Sequence, residues 1–551
     1  TREAQYDFII VGAGTAGCVL AHRLSADESH RVLLLEAGPA DRGFWIHVPL
    51  GYGKTIFNPK VNWCSWSAPV PGIHGRKLYC PRGKCLGGTS SINGMLYVRG
   101  QADDFDDWAR QGATGGDWAG VLPYFLRMED HFLGASALHG AGGPVHVSRI
   151  DAPHVLADAF IASAGHCGIA PTGDYNGARQ EGASYFQATI RRGKRVSAAD
   201  AYLRPALGRP NLDVVTDALV QRVDFADGRA CGVTSSKNST PCPASAAREV
   251  VVSAGAVGSP QLLQVSGVGA ADHLVSLGIR VVADLAGVGA DFHDHLRVRM
   301  MYRCNRPVST NDDLNSSFGR MRVGLQYLLM KRGPLATGIN QAGAFFRTHT
   351  SLTRPNMQFM FGTLSADQQG GAIHPFPGFT IVPCVLRPRS RGFVRIRSAD
   401  PSQEPEIQPN YFGDERDVAE LLQGAMFARR VANTAPLSDF VASELAPGPG
   451  CASEAEWVAF LREHGSGMIV GHPVGSCRMG NDERSVVDER LRVRSVRGLR
   501  VADASVMPSI TSGNTNAPTF MIGEKASDLI LEDWSRRPSF VAQASPSAAL
   551  T

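Results

Sequence analysis

Tyr6–Leu24 reads YDFIIVGAGTAGCVLAHRL. The apolar run Phe8–Val11 is β-type, the next residues spell Gly12-x-Gly14-x-x-Gly17, and a helical pattern follows through Leu20 and Leu24. In this strand–turn–helix setting each glycine has its own task. Gly12 makes the tight turn, Gly14 lets the main chain approach a pyrophosphate, and Gly17 allows helix and strand to pack closely. The helix N-terminus, with Thr15 and Ala16 in its first turn, then faces the phosphates.

A second strand, Val32–Leu35, ends at Glu36 and Ala37. A carboxylate at this position accepts hydrogen bonds from ribose hydroxyls and repels a 2′-phosphate. These features suit FAD and NAD equally. The stretch Arg82–Gly100, RGKCLGGTSSINGMLYVRG, favours the larger flavin dinucleotide. Gly87 and Gly88 leave backbone amides accessible, and the hydroxyls of Thr89, Ser90 and Ser91 stand beside them, followed by Asn93 and Gly94. Together they offer a second cradle for a long cofactor. Apolar Leu86, Ile92, Met95 and Leu96 draw the segment into the interior.

Composition excludes several alternatives. The 551 residues exceed one simple core, so two domains or one domain with a large insertion are expected. The net charge of +4, without a long basic run, gives no reason to expect a nucleic-acid partner. No stretch approaches the ~18 apolar residues of a membrane span. Eleven scattered cysteines, with no Cys-x-x-Cys pair, read as reduced thiols and a cytoplasmic setting, with periplasmic or peripheral membrane association as alternatives. His293-Asp294-His295 lacks a further ligand at familiar spacing, so no metal is expected.

Four motifs in order now show a family likeness. Gly83–Gly100, GAVGSPQLLQVSGVG at Gly255–Gly269, GVGADFHDH at Gly287–His295, and LRVADASVMP at Leu499–Pro508 leading into SGNTNAPTFMIGEKASDLI resemble the GMC (glucose–methanol–choline) oxidoreductases. The style is that of bacterial choline-dehydrogenase-like alcohol dehydrogenases and oxidases. The likeness spans roughly residues 5 to 533. It implies an α/β FAD-binding Rossmann-like domain interleaved with an α+β substrate domain built on an antiparallel sheet. The FAD domain would comprise 1–155, 210–300 and 472–535, and the substrate domain 156–209 and 301–471, with a loose Pro/Ser/Ala-rich tail at 536–551. Phe379–Ser398 alternates in β fashion around a turn at Ser390-Arg391-Gly392. Asp417–Ala435 and Glu454–His464 have helical amphipathicity.

Carried over by position, the likeness makes His472, in VGHPVGSCRMG, the active-site histidine and Asn514 its polar companion. Val220, Asp503, Ala504, Asn516, Pro518 and Thr519 join the cofactor set. The implied reaction oxidises a primary alcohol to an aldehyde: His472 takes the hydroxyl proton, Asn514 fixes the oxygen, and flavin N5 receives the hydride. Electrons would pass to oxygen or to a quinone or cytochrome. Members with covalent flavin that resemble choline oxidase carry a histidine where this chain has Ile92, so non-covalent FAD is expected. Gln341 and the lack of an acid in TGINQAGAFF suit a neutral alcohol better than choline. A lyase of the hydroxynitrile type, another non-oxidative member such as a fatty-acid photodecarboxylase, and a choline dehydrogenase are the alternatives. His293 and His295 read as structural, and His374 as structural or within reach of the pocket. The oligomeric state is open.

Overall fold

The computed structural model describes residues 5–535 apart from 151–152, 238, 368–370 and 466–468; the tail expected at 536–551 lies outside the described residues. Two seven-stranded sheets organise the chain. In the first, Leu212–Val215, Val32–Leu35, Gln5–Val11, Thr240–Val252 and Leu499–Val501 lie side by side in parallel. Ile9, Ile10 and Val32–Leu35 are buried on both faces, as parallel strands covered by helices require. The pairing Val11↔Leu35 sets Gly12 and Glu36 together, just past the carboxyl ends of their strands, where ligands of such sheets bind.

Thr240–Val252 belongs to two pairings. Its exposed first half closes an antiparallel meander with Arg229–Lys237 and Leu219–Ala226, and its buried second half continues the parallel sheet. The helix Thr15–Leu24 packs against the helix Asn516–Ser535 so tightly that a Cβ on Gly523 would stand 2.9 Å from that of Val19.

The second sheet is antiparallel, in the order Val441–Ala446, Met300–Cys304, Gly378–Val385, Met357–Gly362, Asn340–Phe346 and Gly182–Tyr185. Leu296–Arg297 also pairs with Gly378–Val385. The two turn-flanking segments expected in Phe379–Ser398 both form strands, but they do not pair with each other. Gly378–Val385 is buried throughout and sits in the centre of this sheet, whereas Phe393–Arg395 pairs with Glu406–Gln408. The helix expected from Asp417 to Ala435 runs from Glu415 to Ala432. Asp414 caps it by accepting from the Arg416 amide, and it stops at the Asn433 cap, three residues before Pro436. Glu454–His464 is helical, with Ser453 and Glu456 closing a capping box.

Candidate active site

A cavity of about 500 Å³ opens at the carboxyl edge of the parallel strands. Gly12, Gly14, Thr15, Ala16, Glu36, Ala37, Gly88, Asn93, Gly94, Val220, Asp503, Ala504, Asn516 and Thr519 line it, and so do His472 and Asn514. Gly87, Ser90 and Pro518 stand behind this wall. The Gly87 amide donates to the Ala13 carbonyl at 2.8 Å. The Ser90 hydroxyl donates to the Gly87 carbonyl at 2.6 Å and accepts from the Ala198 amide at 2.9 Å, so it shapes the cradle without facing the cavity. Pro518 is buried in the first turn of its helix. His374 and Gln341 are also absent from the wall: His374 bonds to Ser365 and Asp367, and Gln341 is buried in a strand of the second sheet.

The glycines follow from local sterics. Gly12 has φ +99°, and a Cβ there would meet the Ser253 carbonyl oxygen at 2.6 Å. Gly88 has φ +54°, and its Cβ would lie 2.7 Å from the Gly14 Cα, so the two glycine turns touch back to back. A Cβ on Gly14 would meet no atom of the chain closer than 3.8 Å, so packing within the protein does not demand glycine there. Glu36 accepts from the amides of Ala13 and Gly38, each at 2.9 Å, and burial pushes its carboxyl up to about 7. Asp503 accepts from the Gly255 and Ser505 amides and the Ser259 hydroxyl, tying the N-terminus of the helix Gly255–Val265 to the cavity floor. The Thr15 hydroxyl donates to the Asn516 side-chain oxygen at 2.8 Å, joining the N-termini of two helices.

At the other end of the cavity four groups form a chain. The Thr511 carbonyl lies 3.1 Å from His295 Nε2, His295 Nδ1 lies 3.1 Å from His472 Nδ1, and His472 Nε2 lies 3.1 Å from Asn514 Nδ2. A carbonyl can only accept, so His295 carries its proton on Nε2 and offers a lone pair at Nδ1. His472 must then donate from Nδ1, which leaves its Nε2 unprotonated and accepting from the Asn514 amide. Hydrogen bonding thus selects the tautomer of His472, as the partners of metal-bound histidines do. Burial, followed by the neighbouring His295, lowers His472 to about 3, so the ring is neutral at neutral pH.

Asp294 fixes the main chain of this segment. One carboxylate oxygen accepts from the His295 and His472 amides, at 2.8 and 2.7 Å, and the other from the Gly471 amide and the Tyr411 hydroxyl, at 2.7 and 2.6 Å. Burial opposes its charge, but His472, Arg297 and the Tyr411 hydroxyl hold its carboxyl below the usual range. Two guanidinium groups brace the same strip. Arg82 donates to the Val470 and Gly471 carbonyls, and Arg297 to the Ile469 carbonyl at 2.9 Å; both line the cavity.

Asp294, His295, Tyr411, Thr511, Arg82 and Arg297 are the residues that sequence reading missed. His295 was expected to be structural but bonds directly to His472. His293 is structural, held by the Asp291 carbonyl and the Ile510 amide. The tertiary fold also adds His472 to the Asp294–His295 pair, bringing donor atoms of the three within 4.8 Å of one another. Their lone pairs are spent on one another and on amides, so this arrangement is a hydrogen-bond relay. The other candidate donor groups among the described residues, around Asp174 and Asp200, are tied up as well: Asp174 bonds to His139, and Asp200 pairs with Arg204.

Residues 6–297 and 388–523 match the family models described as GMC oxidoreductase. Mitochondrial choline dehydrogenase of Homo sapiens is 42% identical over 543 residues, covering 96% of this chain and 90% of that protein. Alcohol dehydrogenase (acceptor) of Pseudomonas putida is 40% identical over 530 residues, covering 96% of each. Among solved structures, pyridoxine 4-oxidase from Mesorbium loti superposes with a TM-score of 0.86 at 30% identity, over 95% of this chain and 98% of that one.

Proposed function

Because the chain belongs to the GMC oxidoreductase family, we propose that it holds FAD without a covalent link and oxidises a primary alcohol bearing no positive charge, with His472 as the base and Asn514 orienting the alcohol oxygen. It is an FAD-dependent alcohol oxidoreductase. The wall fits the cofactor. Gly14 presents bare backbone to space that a side chain would fill, the Gly88 turn abuts it, and Glu36 stands at the end of the second strand. Bound there, FAD supplies an acceptor for the hydride that leaves the alcohol carbon. Ile92, which lines the cavity, offers no atom for a covalent link, and among the described residues His472 is the one histidine on the wall.

The observation that carries the reading is the 3.1 Å approach of the Asn514 side-chain nitrogen to His472 Nε2, a contact in which Nε2 is the accepting, unprotonated nitrogen. An alcohol hydroxyl entering between them donates to Nε2 and accepts from the amide. As the C=O bond forms, the hydroxyl proton passes to Nε2 and the carbon releases its hydride. Gly471 and His472 are anchored through their amides to Asp294, so the ring is held in place before substrate arrives. The guanidinium groups of Arg82 and Arg297 beside this strip disfavour a quaternary ammonium and favour a neutral alcohol. The names of the relatives favour choline as the second reading.

Anaerobic mixing with a panel of neutral alcohols and choline tests this assignment. Neutral primary alcohols are expected to bleach the flavin; bleaching by choline alone would replace the reading with the second one. Admitting air afterwards distinguishes oxygen from a quinone or cytochrome as acceptor. Acid precipitation is expected to release the yellow cofactor into the supernatant.

A further inference from the structure

The helix Ser317–Met330 is turned the wrong way round for a packed amphipathic helix. Phe318, Met321, Leu325, Leu328 and Leu329 recur at the spacing of one helical face, within an arc of about 100° at 100° per residue. They are 70%, 55%, 50%, 57% and 80% exposed, and Met330 beside them is 59% exposed. The buried side is narrow: Val323 and Tyr327 face inward, Tyr327 packing with Val48 and Ala336. An exposed apolar stripe of this size marks an interaction surface.

Its surroundings identify the partner. No Asp or Glu occurs between Asp313 and Asp367, whereas Arg320, Arg322, Lys331 and Arg332 lie on or just after the helix. Arg322 pairs with Asp313. The hairpin Ile190–Arg195 abuts the C-terminal end of the helix, where a Cβ on Gly193 would come within 2.2 Å of the Lys331 carbonyl oxygen, and it adds exposed Arg192 and Lys194. Trp45, packed at the edge of the Tyr327 cluster, has Lys54 over its ring at 3.9 Å and Phe44, 53% exposed, against its edge. An apolar stripe flanked by cations and aromatic rings is the pattern of a helix that lies in a membrane interface.

We infer that Ser317–Met330 docks this enzyme on an anionic phospholipid bilayer, its apolar stripe at the headgroup–acyl boundary and its basic rim on the lipid phosphates. A helix of 14 residues is too short to span a bilayer, so the contact is peripheral. A second copy of this chain fits less well, because a two-fold contact through this face would set the basic rim against itself. The attachment does not depend on the identity of the alcohol or of the electron acceptor.

Flotation of the FAD-loaded enzyme with phosphatidylcholine vesicles, and with vesicles containing 30% phosphatidylglycerol, tests the inference. The enzyme is expected to float with the anionic vesicles and to be released as salt rises. The triple variant Phe318→Ser, Leu325→Ser, Leu329→Ser is expected to lose at least about tenfold in binding, and Arg320→Glu with Arg332→Glu to lose the preference for anionic lipid, both keeping alcohol oxidation with a soluble dye. No flotation by the parent enzyme, or equal flotation by the triple variant, would overturn the assignment. So would sedimentation showing that the parent is a dimer that the triple variant dissociates, since the stripe would then belong to a second copy.

Discussion

His472 owes its tautomer to His295. The Thr511 carbonyl orders the proton on His295, and His295 in turn orders the proton on His472. Replacing the proposed base, His472→Ala, should slow flavin reduction by roughly 10²–10⁴-fold at neutral pH, with partial recovery at alkaline pH as the alcohol ionises unaided. His295→Phe should keep FAD and alcohol affinity yet lose roughly 10–100-fold in reduction rate, because Nε2 of His472 can then carry the proton. Rapid-mixing reduction rates across pH check both. With His472 lowered to about 3, the acid limb of the parent profile should lie well below the ordinary imidazole value of 6.5. A parent limb near 6.5 would show that water in the cavity solvates this half-buried ring. The place of His472 on the cavity wall could be read from its motif, but its bond to His295 could not: the two are 177 residues apart and only tertiary packing brings them together. HDH drew attention as a possible metal cluster, and the residue that completes the set lies in another segment.

At the scale of elements, the contact between the two glycine turns is the most exposed to mutation. Gly88→Ala adds an atom within 2.7 Å of the Gly14 Cα at a φ of +54°, so it should cost roughly 1–3 kcal/mol of stability and lower FAD occupancy after dialysis. Denaturant midpoints and flavin absorbance measure the two effects separately; full occupancy in a stable variant would mean that the turns can part. The N-terminal strand, turn and helix were legible because one short motif fixes their local geometry. Strand pairing in the second sheet was not, since Gly378–Val385 is buried on both faces and its alternation carried no information about its neighbours. Helix ends were displaced by two or three residues, through a cap at Asp414 and a stop ahead of Pro436.

For the molecule as a whole, two buried imidazoles and the half-buried ring of His472 shape the response to acid. His293, His295 and His472 are lowered to about 3, about 4 and about 3, chiefly by burial, against 6.5 in an unfolded chain. Between pH ~6.5 and ~4 the unfolded state therefore binds more protons, and stability falls as the pH falls. Glu36, raised to about 7, acts in the opposite sense between its ordinary 4.5 and 7, as do Asp104, Glu420 and Asp503, whose carboxyls burial also raises, while His22, His131, His154 and His464, lowered by burial, add to the three rings. Thermal midpoints should decline steadily from pH 6.5 to 4.5, and a flat profile would show that these rings are hydrated. The bond between Thr15 and Asn516, 501 residues apart, has a consequence for biosynthesis. Synthesis must run past Asn516, 501 residues beyond Thr15, before the helix Asn516–Ser535 can close over the first glycine turn. Until that point in synthesis the cavity lacks the wall that Asn516 and Thr519 supply, whatever its N-terminal half has already formed.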